Sequence, residues 1–387
     1  MNMINMLLFL FGCCPLMAAP RPAADISYMV ADLKYSRKNG VKICEIQHGF
    51  HSAFDEDVYL HGNLGLISPL AAHFFNRFSI RKWASGVLFS PLALALSSQG
   101  WTINKSAPTL FKDEEFLTLA TRAAKDFSSI ASYSAIHYCS QMLAKNSKEL
   151  LLKYPGILFI DAGTMSYWND KYKMTSLFAS HPALKEIKPE WGLYPCQYKK
   201  ELASLIMQDI PSLFYVIKPR QEMKGKGVLI ISHEDLDMTL NMIFGPSENR
   251  HNPPDSAYAY WQKNQQETFI VEKFYPSDPL VIPKIGVKTP PIRDGKEEWV
   301  TYDPTLRIAF ILLYDKGEIE CTFLGGYWRL PRKSMEEGGT LHELKKEHQS
   351  IYYASRADQH ILLGVFEQLK EKIPLLYKAM LGLSLDD

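Results

Sequence analysis

The feature that most constrains the fold is a pair of apolar segments joined by a turn rich in glycine and lysine. The first segment, Leu213-Phe-Tyr-Val-Ile-Lys218-Pro219, is followed by Gly225-Lys226-Gly227 and then by Val228-Leu-Ile-Ile. Aromatic and β-branched residues are typical of strands, and glycines let a turn aim its backbone N–H groups at a ligand. The pattern predicts a strand, a turn over residues 220–228 and a second strand. We call residues 220–228 the phosphate turn, because the neighbouring lysines would neutralise phosphate oxygens. A plain basic hairpin tip is the alternative.

Length and charge limit the classes of protein to consider. The chain has 387 residues, which indicates two or three domains or subdomains, and 47% of them are hydrophobic, as in globular proteins. Lys plus Arg is 43 and Asp plus Glu is 42, so the net charge of +1 provides no field that would capture nucleic acid. Six cysteines without metal-type spacing predict buried free thiols.

The N-terminal segment over residues 6–19 reads MLLFLFGCCPLMAA and ends in small residues. It is too short to span a membrane comfortably and is typical of a secretory signal. Export is therefore one expectation for localisation. A cytoplasmic protein with an uncleaved apolar extension or a misread start is the other, because no basic residue precedes Arg21. No other stretch reaches spanning length.

An alternating segment over residues 25–50 predicts a hairpin that turns at Asn39-Gly40. Asp32 lies on its first strand, and Glu45 and Gln47 lie on its second. Because Glu45 and Gln47 are two residues apart on a strand, they face the same side. Further along, the sequence predicts strands over 157–161 and 268–274, a helix from about Asp170, a hairpin over 306–330 and a helical tail.

Two segments resemble the nucleotide-binding parts of the ATP-grasp superfamily. The Lys218-Pro219 strand with the phosphate turn resembles the flap that covers the phosphates in that family. About 50 residues later, Phe269-Ile-Val-Glu272-Lys273-Phe274 resembles the hinge strand, which holds adenine and ribose. The resemblance covers roughly residues 25–50 and 165–332.

Two further segments fit the same resemblance. Asn169-Asp-Lys171-Tyr-Lys173 resembles the entry to the small ATP-binding subdomain, where a lysine reaches the phosphates; Lys171 and Lys173 both match. Asp303-Pro-Thr-Leu-Arg307 resembles the strand whose arginine stabilises the transferring phosphoryl group.

The metal motif that this resemblance implies stands near the N-terminus. The family binds divalent ions with an Asp and a Glu-x-Asn on adjacent strands, because hard cations require oxygen ligands. Asp32 and Glu45-Ile-Gln47 match, with Gln in place of Asn, whereas no Glu-x-Asn follows Arg307. The resemblance thus implies a circular permutation and one or two Mg²⁺. An ordinary polar surface hairpin is the alternative.

The site implied by the resemblance has three parts. Its catalytic residues are Arg307 and Lys226; its ATP-binding residues are Lys171, Lys173, Lys218, Lys224, Gly225, Gly227, Glu272, Lys273, Phe274 and Asp303; and its metal ligands are Asp32, Glu45 and Gln47. His48, His51 and Arg329 are further candidates for substrate binding, and the sequence leaves their roles open.

The expected fold class is mixed α+β and α/β: a circularly permuted ATP-grasp fold, with two α+β subdomains around the nucleotide, and an additional α/β substrate domain. The expected parts are a possible signal peptide (1–24), the metal-binding hairpin (25–60), the α/β substrate-side domain (61–165), the small ATP-binding subdomain with the phosphate turn (166–265), and the large subdomain with a helical tail (266–387).

The resemblance implies an ATP-dependent carboxylate–amine ligase that acts through an acyl phosphate, with small-molecule or peptide carboxylate and amine substrates. No protein nucleophile is required. An ATP-grasp phosphotransferase and a non-catalytic nucleotide-binding module are the alternatives. No nucleic-acid partner is expected, and the sequence defines neither the substrates nor the oligomeric state.

The leader generates a first prediction. If it is a secretory signal, the natively expressed protein should begin between about Arg21 and Asp25, because signal cleavage follows small residues. Mass spectrometry of the intact protein measures this end. An intact Met1 in cytoplasmic protein would contradict the prediction.

Overall fold

The computed structural model describes residues 24–49, 55–62, 65–77, 82–84, 97–100, 102–104, 114, 118, 121, 135–138, 152–167, 170–222, 225–246, 256–264, 266–285, 292–293, 296–346, 348 and 350–385. The leader, Lys224 and His51 lie outside these residues.

The described strands follow the chain in this order: β1 (Ala24–Ser36), β2 (Gly40–His48), β3 (Lys82–Ala84), β4 (Thr102–Asn104), β5 (Ala135–Tyr138), β6 (Ile157–Ile160), β7 (Trp191–Pro195), β8 (Phe214–Pro219), β9 (Leu229–Ser232), β10 (Thr268–Lys273), β11 (Leu280–Pro283), β12 (Ile292–Arg293), β13 (Lys296–Glu297), β14 (Trp299–Tyr302), β15 (Thr305–Asp315), β16 (Glu318–Arg329) and β17 (Ala354–Arg356).

The described α-helices are α1 (Asp55–His61), α2 (Ile67–Arg77), α3 (Lys171–Leu177), α4 (Pro182–Glu186), α5 (Leu202–Asp209), α6 (Leu236–Phe244), α7 (Ser256–Lys263), α8 (Leu341–Lys345), α9 (Gln359–Leu369) and α10 (Lys372–Met380). As predicted, α3 begins at Asp170, whose side chain accepts a hydrogen bond from the backbone N–H of Lys173. None of the described helices is long and apolar enough to cross a membrane.

Most described strands belong to one nine-stranded sheet, which we call the long sheet. Its order is β17-β16-β15-β1-β6-β5-β3-β4, and β2 also pairs with β1. The predicted hairpins over 25–50 and 306–330 are confirmed: β1 pairs antiparallel with β2 and with β15, and β15 pairs antiparallel with β16. The mixed α+β class expected from the sequence is therefore observed.

The strands between residues 61 and 165 pair in parallel, as expected of an α/β unit, and the predicted strand over 157–161 is observed as β6. They do not form a separate sheet, however. Ile160 of β6 pairs in parallel with Ile26, on the stretch of β1 that precedes the pairing with β2 at Met29. The start of β1 is therefore left for β6 to pair with, and this pairing joins the parallel strands to the antiparallel hairpins.

The phosphate turn belongs to a second, four-stranded antiparallel sheet, which we call the small sheet. Its order is β7-β10-β8-β9, and its helices are α5, α6 and α7. The predicted strands on either side of the phosphate turn, and the strand over 268–274, are confirmed as β8, β9 and β10. The small sheet has its own core, with Ile206, Leu240 and Phe269 fully buried.

A chain of buried polar groups joins β1 to β6 and α10. Asp25 accepts hydrogen bonds from the hydroxyl of Tyr377 and, at 2.8 Å, from the backbone N–H of Gly163. Ser27 Oγ lies 3.0 Å from Thr164 Oγ1, which lies 2.8 Å from Nε2 of His48. Burial raises the pKa of Asp25 to about 7 and lowers that of His48 to about 3.

The Asp25 pKa predicts a pH dependence of stability. The folded-state pKa of Asp25, about 7, lies above the ordinary 3.8. The protonated side chain therefore stabilises the folded chain fully below about pH 4, and this stabilisation is lost as the pH rises through 7. Between pH 5 and pH 8, the free energy of unfolding of the wild type should therefore fall by roughly 2–3 kcal/mol more than that of Asp25→Asn. Urea unfolding at both pH values measures it. The exposed Asp237→Asn should behave like the wild type, and an unchanged pH dependence in Asp25→Asn would contradict the prediction.

Candidate functional site

A row of polar residues crosses one end of the long sheet. Glu45 on β2 pairs with Asp32 on β1, Asp32 pairs with Arg307 on β15, and Arg307 pairs with Tyr327 on β16. Paired residues on neighbouring strands point to the same face, so these side chains are neighbours. The N-terminal hairpin with Asp32 and Glu45 thus meets the strand of Arg307 in one row.

Asp32 and Arg307 form a buried ion pair with two parallel hydrogen bonds. Nε of Arg307 donates to Oδ1 of Asp32 at 2.7 Å, and Nη2 donates to Oδ2 at 2.7 Å. The residues are 4% and 2% exposed. Burial alone would raise the pKa of Asp32, but the Arg307 guanidinium outweighs it and holds that pKa below its usual range. Asp32 is therefore ionised in this pair.

A second arginine and a second carboxylate extend the cluster. Nη1 of Arg329 lies 3.5 Å from Oδ2 of Asp32, and its Nε lies 3.3 Å from Oε1 of Glu56 on α1. The hydroxyl of Tyr327 donates to Oε2 of Glu56 at 3.0 Å. Two arginines thus face two carboxylates, and the formal charges of these four residues balance.

Two buried lysines, one on β8 of the small sheet and one just before β7, bind a carboxylate of β10. Nζ of Lys218 lies 2.6 Å from Oε2 of Glu272, and Nζ of Lys188 lies 2.7 Å from Oε1. Both lysines also donate to the backbone oxygen of Cys44 on β2, at 3.0 and 3.1 Å. Burial lowers the pKa of Lys188, whereas Glu272 more than offsets burial at Lys218 and raises its pKa. Lys218 is thus the more firmly charged of the two.

Lys171 connects the phosphate turn to the long sheet. Its Nζ lies 2.5 Å from Oε1 of Glu45 and 2.6 Å from the backbone oxygen of Glu222. Lys173 points elsewhere, with Nζ 3.3 Å from the backbone oxygen of Ser166 and near the ring of Tyr167. The sequence did not distinguish between the two lysines as phosphate-binding residues. The structure brings only Lys171 between the phosphate turn and the long sheet.

The phosphate turn has the backbone that its glycines suggest. Gly225 and Gly227 have φ angles of 63° and 68°, which favour glycine. A Cβ on Gly227 would also lie 2.3 Å from the ring of Tyr260. Lys346 donates to the backbone oxygen of Gly225 at 2.7 Å, and Lys226 is exposed.

Several other residues that were predicted to bind the nucleotide make contacts within the protein itself. The backbone N–H groups of Lys273 and Phe274 donate to Glu190 and Phe214, so both are already used within the protein. Asp303 is buried, and its carboxylate accepts from Lys34 and Lys345, each at 3.0 Å. Their role at a nucleotide stays a prediction.

The predicted Mg²⁺ set does not fit this arrangement. Both carboxylate oxygens of Asp32 already bind Arg307, and the carboxylate of Glu45 binds Lys171. Glu45 and Gln47 do lie on one face, but they provide only two side chains. Among the described residues, no group of three or more His, Cys, Asp or Glu side chains could hold a metal ion.

Three residues of this region were not found from the sequence. Lys188 shares the Lys-Pro dipeptide of Lys218-Pro219, and this repeated pattern was an available signal. The sequence offers no such signal for Glu56 or Lys346. Glu56 binds Arg329, which lies 273 residues away in the chain, and Lys346 binds Gly225, which lies 121 residues away.

Comparisons with known proteins give little further information. No protein-family model matches the chain, and no curated protein matches it. Among solved structures, the chain is similar to one described as "Putative gamma-glutamylcysteine synthetase" from Methylobacillus flagellatus KT. The identity is 8%, the TM-score is 0.44, and the match covers 92% of this chain and 91% of that one. A likeness this low carries no argument about fold or function.

The ion pair predicts different outcomes for the two carboxylates. Asp32→Ala should lower the free energy of unfolding by roughly 3–5 kcal/mol, because it leaves the Arg307 charge buried without its main partner. Glu45→Ala should cost about 1 kcal/mol or less, because its side chain is 33% exposed. Urea unfolding of both variants measures the difference. Equal losses would contradict the prediction.

Proposed function

We propose that the chain binds ATP between the small sheet and the end of the long sheet, and that it is an ATP-dependent carboxylate–amine ligase. One observation carries the proposal. Among the described residues, the Nζ atoms of Lys171, Lys188 and Lys218 form ion pairs with two carboxylates, those of Glu45 and Glu272, so the formal charges of these five side chains sum to +1. Burying such an excess is costly unless an anion compensates it.

The anion that fits is a nucleotide phosphate. Lys171 and Lys218 come from two segments beside the phosphate turn, and both reach β2. Ammonium groups that converge in this way are suited to phosphate oxygens. The glycine turn would supply backbone N–H groups beside them. The magnesium ion would arrive with ATP as part of the substrate.

The chemistry of the proposal requires charge stabilisation rather than a protein nucleophile. A substrate carboxylate would attack the γ-phosphorus, the bond from that phosphorus to the bridging oxygen of ADP would break, and an acyl phosphate would form. An amine would then displace phosphate. Arg307 and Arg329 lie next to the lysine group and would stabilise the negative charge that develops in both steps.

A non-catalytic nucleotide-binding module is the second candidate. The observation in its favour is that Asp32 is bound to Arg307 and is not available as a metal ligand. A phosphotransferase, in which a hydroxyl in place of the carboxylate attacks the γ-phosphorus and ADP leaves, would use the same groups. Release of ADP separates both enzymes from the module, and the product, an amide or a phosphorylated compound, separates the two enzymes.

Removal of the Lys218 ammonium tests nucleotide binding. Lys218→Ala should weaken MgATP binding about tenfold to hundredfold, since a charge-assisted contact contributes roughly 1.5–3 kcal/mol. Glu272 keeps Lys188 as a partner, so the fold should persist. Calorimetric titration with MgATP measures the dissociation constant.

The matched control is Lys199→Ala, which removes an exposed lysine just before α5 of the small sheet. Its MgATP affinity should equal that of the wild type. If Lys218→Ala binds MgATP as tightly as the control, the nucleotide site is not here. A screen of carboxylic acids and amines for ADP release by the wild type then tests the ligase.

A further inference from the structure

The backbone oxygen of Gly225, on the phosphate turn, accepts two hydrogen bonds. The N–H of Val228 donates to it at 3.3 Å and closes the turn locally, and Nζ of Lys346 donates to it at 2.7 Å. The second donor belongs to a residue 121 positions further along the chain. Because that donor is charged, its bond is the stronger of the two. A contact from outside the turn therefore holds the Gly225 peptide.

The composition of the turn makes such a contact important. Gly225 and Gly227 both lie in the left-handed region of backbone conformations, with φ angles of 63° and 68°. Glycine populates positive and negative φ about equally readily, so these two residues by themselves determine the path of the turn only weakly. Nearer the start of the turn, Nζ of Lys171 donates to the backbone oxygen of Glu222 at 2.6 Å. Lysines from two distant segments thus hold two carbonyl groups of the turn.

Lys346 is itself anchored to the long sheet. It directly follows α8, and this helix is bonded to the segment that leaves β16. The N–H of Lys333 donates to the backbone oxygen of Glu343 at 3.2 Å, and Nζ of Lys333 lies 2.9 Å from Oε1 of Glu343. Beyond the helix, the N–H of His348 donates at 2.7 Å to the backbone oxygen of Leu330, which is fully buried. The ammonium of Lys346 therefore reaches the phosphate turn from the end of the long sheet.

The residue before Lys346 strengthens the same connection. Nζ of Lys345 lies 3.0 Å from Oδ2 of Asp303, which is buried just before β15. The same Nζ lies 5.9 Å from the ring centroid of Phe214, which begins β8, the strand that leads into the turn. α8 also lies beside β9, the strand that leaves the turn. The helix is thus held against both strands that flank the phosphate turn, and this places Lys346 next to Gly225.

We propose that Lys346 is a positioning residue of the phosphate turn. Its ammonium fixes the Gly225 peptide and thereby keeps Lys226 and the backbone N–H groups of the turn directed at the nucleotide phosphates. Lys346 acts through the Gly225 carbonyl and does not itself contact the nucleotide. The inference rests on the proposed ATP site and adds to it a residue that the sequence analysis did not select.

The first experiment measures how firmly the turn is held, with trypsin as the probe and without nucleotide. Trypsin cleaves after Arg220, Lys224 and Lys226, which all belong to residues 220–228. Lys346→Met retains an apolar side chain but removes the charge and the donors. Cleavage within the turn should become about tenfold faster when its rate follows the opening equilibrium. Mass spectrometry of the products locates the cuts, and an unchanged rate would overturn the positioning role.

The matched control is Lys333→Met, which removes an ion pair of the same helix and leaves Lys346 in place. Its turn should be cleaved at the wild-type rate. Cleavage as fast as in Lys346→Met would overturn the proposal, since general loosening of α8 would then explain both results.

Two further substitutions keep the test decisive. Lys346→Arg should be cleaved almost as slowly as the wild type, because a guanidinium can donate to the same oxygen. Cleavage as fast as in Lys346→Met would count against the role. If Lys346→Met does not fold, Lys346→Gln removes the charge alone. It should be cleaved faster than the wild type, and a wild-type rate would count against the role.

The second experiment connects the position of the turn to the phosphates. In calorimetric titrations, Lys346→Met should bind MgATP about tenfold more weakly than the wild type. It should bind adenosine as tightly as the wild type, because adenosine has no phosphate for the turn to hold. Equal losses for both ligands would overturn the role, since they would indicate general damage to the site. Unchanged MgATP affinity would overturn it as well.

The two experiments together separate positioning from direct contact. Weaker MgATP binding with an unchanged rate of turn cleavage would overturn positioning and assign Lys346 to the phosphates themselves. If the wild type binds neither MgATP nor adenosine, the proposed ATP site fails. The trypsin rates would then still decide whether Lys346 holds the turn.

Discussion

The Asp32–Arg307 ion pair is the interaction on which the rest of this region depends. It joins residues 275 positions apart on β1 and β15, two inner strands of the long sheet, and both side chains are buried. A shift of one residue between β1 and β15 would place the Asp32 and Arg307 side chains on opposite faces of the sheet and leave each buried charge without the other. The pair therefore fixes the register of β1 against β15, and with it the positions of Glu45 and Tyr327 on the strands to either side.

The charges around this pair divide into two groups with different balances. On the long sheet, the arginines and carboxylates cancel once Glu56 is included. In the second group, Lys171, Lys188 and Lys218 outnumber the carboxylates that they contact among the described residues, and they reach β2 at Glu45 and at the backbone oxygen of Cys44.

The long sheet also explains why the N-terminal hairpin can serve a site built mostly from later residues. β1 carries β15 on one edge and shares the other edge between β2 and β6. Polar side chains from the start of the chain are thus held against β15, while the parallel strands extend the same sheet. The parallel strands of the expected α/β substrate-side region join this sheet because the start of β1 pairs with β6.

The sequence by itself determined the local elements. Alternating apolar residues predicted the hairpin at 25–50, apolar runs on both sides of Asp315-Lys316-Gly317 predicted the one at 306–330, and glycines predicted the backbone of the phosphate turn, because these patterns depend on neighbouring residues alone. The sequence also selected Asp32, Glu45, Arg307, Lys171 and Lys218 as residues of one site. Only the tertiary structure decided which charges pair. It gave Asp32 to Arg307 instead of a metal ion, chose Lys171 over Lys173, and brought in Lys188 and Glu56. The physical reason is that the partner of a buried charge is whichever opposite charge the folded chain brings within reach, and no local pattern records that distance.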